Sequence, residues 1–89
     1  MSKISVNNGT DGLLCLFLEP WGTDHWMRPG DNFTVVTHAE PVECPFDVVM
    51  HGQGISVMVN SGGYYDVVVV DQDGNPAPCG HQRPADIGW

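Results

Sequence analysis

The sequence predicts an all-β fold, a two-sheet antiparallel β-sandwich of six or seven short strands, and three observations carry that expectation. Apolar and polar residues alternate over stretches of strand length, as in Ile4-Ser5-Val6-Asn7 and Ile55-Ser56-Val57-Met58-Val59. Clusters of Gly, Pro, Asn and Asp punctuate the chain about every ten residues. The alternating stretches are rich in β-branched residues, with four consecutive valines at Val67 to Val70.

Ile4 and Val6 open the first strand, and Asn7-Asn8-Gly9-Thr10-Asp11-Gly12 turns the chain with residues that tolerate positive φ. Leu13 to Glu19 is apolar on both faces, with Leu14, Leu16 and Leu18 on one and Leu13, Cys15 and Phe17 on the other, which predicts a central strand. Pro20 and Gly22 stop it. His25-Trp26-Met27-Arg28 reads as a short edge strand before the Pro29-Gly30-Asp31-Asn32 turn, after which Phe33, Val35 and Thr37 form one face and Thr34, Val36 and His38 the other.

Two prolines mark Ala39 to Pro45 as a crossing between sheets. Phe46, Val48 and Met50 then point inward, Gly52-Gln53-Gly54 closes a hairpin, and Ile55, Val57 and Val59 return on the same inner face. Ser61-Gly62-Gly63 leads into Tyr64 to Asp71, whose valines predict a second central strand. From Pro76 the pattern fades, so the folded domain is expected over 1–77 and an irregular Pro/Gly-containing tail over 78–89, where a thiol and a terminal Trp89 suit a recognition segment or a cover for a sheet edge.

A chain of 89 residues buries a modest share of its surface, and a deep catalytic cleft competes with its core. Three Lys and Arg (Lys3, Arg28, Arg83) against eleven Asp and Glu give a net charge of −8, too few cations to follow a phosphate backbone or an anionic bilayer. Nucleic acid and membrane are therefore poor partners, and a basic protein or peptide is the easier one. The chain opens without an apolar leader, and its three cysteines, Cys15, Cys44 and Cys79, lack paired spacing, so reduced thiols and a cytoplasmic location are the expectation.

Chemistry-bearing residues fall into two groups. His38, His51, Cys79 and His81 are copper and zinc ligands by type, and Cys79 with His81 follows the valine strand. Their spacing lacks the paired Cys or His of a structural zinc site. Asp71-x-Asp73-Gly74-Asn75 resembles the opening of a calcium loop, yet Pro76 and Gln82 stand where the loop requires Gly and Glu, so a turn is expected. No Ser, Cys or Thr sits in the setting of an activated nucleophile, and no enzyme is expected. The second group is Trp21, His25, Trp26, Met27 and Arg28, an aromatic and apolar cluster rimmed by acids, with the composition of a protein-contact loop.

Two resemblances bear on these groups. His38, Cys79 and His81 resemble in order the copper ligands of cupredoxins, but Gly80 alone separates Cys79 from His81 and all four methionines lie upstream. The strand pattern is accordingly similar to cupredoxin-like or immunoglobulin-like Greek keys, without the Cys, Trp and Cys core of the latter. Leu18-Glu19-Pro20-Trp21-Gly22 followed by Arg28-Pro29-Gly30-Asp31 resembles a group of small uncharacterised bacterial proteins, which implies a β-sandwich of bacterial origin and no activity. The resulting expectation is a non-enzymatic module that binds a protein or peptide through the Trp21–Arg28 loop and a sheet edge, with no cofactor. The alternative is a copper or zinc protein using the four ligands above.

Overall fold

The computed structural model describes residues 1–87, and Trp89 of the expected tail lies outside the described residues. The alternating segments form β1 (Ser2–Asn7), β2 (Leu14–Glu19), β3 (Thr23–Met27), β4 (Asn32–Thr37), β5 (Phe46–His51), β6 (Gly54–Val59) and β7 (Val67–Val70). Where the valine pattern predicts strand from Tyr64, the chain makes one turn of 3-10 helix over Tyr64–Asp66, because the Asp66 carboxylate accepts the Gly63 N–H at 2.7 Å and ties the turn shut. No helix among the described residues is long and apolar enough to cross a membrane.

Three strands make one sheet in the order β1-β4-β7, and four make the other in the order β3-β2-β6-β5. The all-antiparallel expectation needs one correction, since β2 and β6 pair in parallel, Leu16 beside Ile55 and Leu18 beside Val57. After β3 the chain crosses to β4 in the other sheet and returns at β5, and the β5–β6 hairpin then brings β6 alongside β2 in the same direction. Gly54 makes that seam possible. Its φ is +143° and a Cβ there would lie 2.1 Å from the Cys15 carbonyl oxygen.

The sheets share one core, to which the smaller contributes Val6, Phe33, Val35 and Val69 and the larger Leu16, Leu18, Met27, Val57 and Val59. The faces of β2 and β4 are those the alternation predicts. Burying side chains of this size contributes roughly 1.5–3 kcal/mol each before conformational entropy is set against it. Asn8, fully buried, braces one end: its amide donates to the Gly12 and Met27 carbonyls, both at 2.8 Å, and its oxygen accepts from the Thr10 N–H and hydroxyl.

Two further expectations are corrected. The valine strand β7 is an edge of the smaller sheet, with β4 at its centre, and its outer side is partly met by Pro76 and Ala77. Val48 and Met50 do share the face of Val57, but they are 48% and 80% exposed, because three strands opposite four leave β5 without cover.

Candidate functional site: the groove on the β3 and β7 side

The segment after Pro76 is irregular, and through Arg83 it is bound to the sandwich as a strap. Ala77 donates its N–H to Val69 O of β7 at 2.8 Å, Gly80 N–H bonds Asp24 O of β3 at 2.7 Å, and Trp26 N–H bonds His81 O at 3.0 Å. Gly80 and Gln82, at φ +81° and +59°, give the bends that let it follow β3. The Gln82 amide donates to Trp26 O at 2.6 Å and to the Asp31 carboxylate at 3.1 Å.

Asp24 is the hub of this strap. Only 3% exposed, its carboxylate is gripped by two guanidinium nitrogens of Arg83 and accepts the Trp26 indole N–H at 2.8 Å and the Cys79 thiol at 3.4 Å. The Arg83 bonds, ahead of the indole and thiol, hold this carboxyl well below the usual carboxylate range against the opposing effect of burial. Next to it on the inner face, His25 donates from Nδ1 to Ala77 O at 2.5 Å, which leaves Nε2 to accept the Thr23 hydroxyl at 2.9 Å. Burial pushes its pKa down and keeps the imidazole neutral. Cys15, opposite Trp26 in the ladder, is buried and its thiol is pushed up to about 12, chiefly by desolvation.

The expected contact loop is thereby corrected. Residues 23–27 form a strand, and His25, Trp26 and Met27 are 4%, 8% and 0% exposed, leaving Arg28 exposed and Trp21 half-buried. The reason is local: β3 places Met27 in the core, His25 under Ala77, and Trp26 on the outer face beneath the strap. As expected, β3 is an edge of its sheet, but the strap covers that edge.

The candidate metal ligands are not brought together. His38 follows β4, His51 ends the exposed strand β5, and Cys79 and His81 lie on the strap, with the His81 ring tilted against Phe33 at 5.9 Å. Among the described residues, no three His, Cys, Asp or Glu side chains stand close enough to hold one metal ion. Asp71 Oδ1 accepts the N–H groups of Asp73 and Asn75, so the calcium-like segment is a closed turn, as its sequence suggests.

Between the strap and the 3-10 turn, the sandwich opens into a groove of about 310 Å³. It is lined by Leu18 and His25 from the larger sheet, Val67 and Val69 from the smaller, and Pro76, Pro78 and Cys79. Tyr64 and Tyr65 stand at its rim, 46% and 98% exposed, in edge-to-face contact with each other at 5.7 Å. Trp21 meets Tyr64 edge-on at 5.8 Å and extends the ridge across the end of the sandwich. Sequence patterning passes over both tyrosines because they precede a valine run and look like part of its strand. The signal available is Gly62-Gly63 before them and Asp66 after, a capped turn rather than a strand start.

Compared with protein-family models, curated proteins and solved structures, the chain matches none.

Proposed function

We propose that the protein is a non-enzymatic binding module and that the groove with its aromatic ridge holds a short peptide segment of a partner protein. The carrying observation is a 98% exposed Tyr65 beside a half-exposed Tyr64 on a groove lined mostly by apolar side chains. Exposed tyrosines offer large contact area with few rotatable bonds, the character of interface hot spots. The net charge of −8 favours a peptide with basic residues flanking an apolar anchor. His25 and Asp24 take no chemical part, since both are fully engaged in bracing the strap.

Selection of displayed random peptides on the wild-type protein tests this reading. The expected result is enrichment of apolar or aromatic anchors in basic sequence, at least tenfold weaker binding (about 1.4 kcal/mol) to Tyr65→Ala, and slower maleimide labelling of Cys79 when peptide is bound. Peptides that bind Tyr65→Ala and Tyr64→Ala as well as wild type contradict it.

A further inference from the structure

The groove is not the only unfinished surface. Of the four sheet edges, β3 is covered by the strap, β7 is met by Pro76 and Ala77, and β1 carries Lys3. Among the described residues no segment bonds along the outer side of the fourth, β5, and its one acid is Asp47. It reads Phe46-Asp47-Val48-Val49-Met50-His51, without lysine or proline, and every residue after Phe46 is exposed. Natural sheets usually protect a flat apolar edge of this kind or pair it.

The backbone of β5 restricts what can pair there. The hairpin aligns His51 with Gly54, and Asn60 N–H bonds Pro45 O at 2.9 Å, so odd-numbered residues exchange hydrogen bonds with β6. By the alternation of an antiparallel ladder, the N–H and C=O groups of Phe46, Val48 and Met50 point outward. A second copy of β5, antiparallel about a two-fold axis, must therefore set even residues opposite even ones.

Polar pairing then selects the register. With the axis at Val49, Val48 of each copy exchanges backbone bonds with Met50 of the other, and Asp47 of each faces His51 of the other in the close, non-hydrogen-bonded pairs. Moving the axis to Val48 puts Asp47 opposite Val49, and moving it to Met50 puts His51 opposite Val49, so both neighbouring registers set a polar side chain against a valine. Asp47 and His51 are already oriented on one face, Asp47 by Asn60 at 2.9 Å and His51 by Ser56 at 2.8 Å. On the opposite face the same axis brings Val48 and Met50 of both copies into one apolar strip, covering the two inward-facing side chains that the smaller sheet leaves bare.

We infer that β5 pairs with β5 of a second copy, with Val49 on the two-fold axis, to form a continuous eight-stranded sheet. This dimer uses a surface separate from the groove. Sedimentation velocity across a concentration series tests it with four proteins, each checked for wild-type circular dichroism. Wild type sediments as a concentration-dependent dimer. Met50→Lys, which puts two cations into the apolar strip, weakens the dimer at least tenfold. Asp47→His alone also weakens it, and Asp47→His combined with His51→Asp, which restores both cross-copy pairs, returns the dissociation constant to within about threefold of wild type. A wild type that stays monomeric at millimolar concentration overturns the inference. So does a dimer indifferent to Met50→Lys, and a double swap as weak as the single change overturns the register.

Discussion

The two edges of the four-stranded sheet are opposites. At β3, a strap of polar backbone bonds and one buried carboxylate seals a strand whose side chains are mostly interior, while at β5 a strand of higher apolar content lies open on both faces. Met27 and Met50 express the contrast in one residue type, 0% exposed at the first edge and 80% at the second. Apolar content does not bury a strand; an opposing layer does. The first edge borrows its layer from residues 77–83, and the second has none among the described residues.

The seam between the two edges should be the most sensitive point. Gly54→Ala drives a methyl carbon into the Cys15 carbonyl at a backbone angle that side chains avoid, and a loss of about 4 kcal/mol or more is expected in urea unfolding. A loss below 1 kcal/mol would mean that β2 and β6 separate easily, and with them the two edges. Met27→Ala follows, at about 3 kcal/mol, whereas Met50→Ala should change monomer stability by less than about 0.5 kcal/mol. Equal effects from the two methionines would erase the contrast.

Asp24→Ala sharpens it from the polar side. Loss of the carboxylate leaves the Trp26 indole N–H and the Arg83 guanidinium without their shared acceptor, and destabilisation of about 2 kcal/mol is expected, with proteolytic sensitivity appearing after Pro78.

The pH dependence should have the same origin. The pKa of His25 is lowered from 6.5 in the folded protein, so its contribution is fully present above 6.5 and is lost as pH falls through the depressed value, because the unfolded chain takes up the proton first. Asp24 is likewise depressed, from 3.8, and its contribution is lost only below that pH. The melting temperature should therefore fall in two stages on acidification, and His25→Gln should flatten the first. A single fall below pH 4 in both proteins would remove His25 from the closed edge.

What the sequence makes legible follows from which forces are local. The strands β2, β4 and β6 are plain in it, since alternation and turn chemistry act over a few residues, and the Gly52-Gln53 turn is readable as a hairpin. The exposure of the edges is not. Val48 and Trp26 have the patterns of an inward residue and a loop aromatic, and their fates depend on whether a fourth strand faces β5 and whether residues 77–83 fold back on β3. The same distance in sequence hides the groove, because His25, Val67 and Pro78 meet there from three separate segments. In the sequence Asp24 is one more acid beside the aromatic cluster, since its partner Arg83 lies 59 residues away.

Amide hydrogen exchange at micromolar concentration measures the two edges side by side in one sample. The Trp26 and Gly80 amides, bonded across the strap, should exchange only through large-scale opening, while the outward Val48 and Met50 amides should exchange orders of magnitude faster. Protection of Val48 and Met50 equal to that of Trp26 under monomeric conditions, or rapid exchange at Trp26, would contradict an account in which one edge is sealed by its own chain and the other is left open.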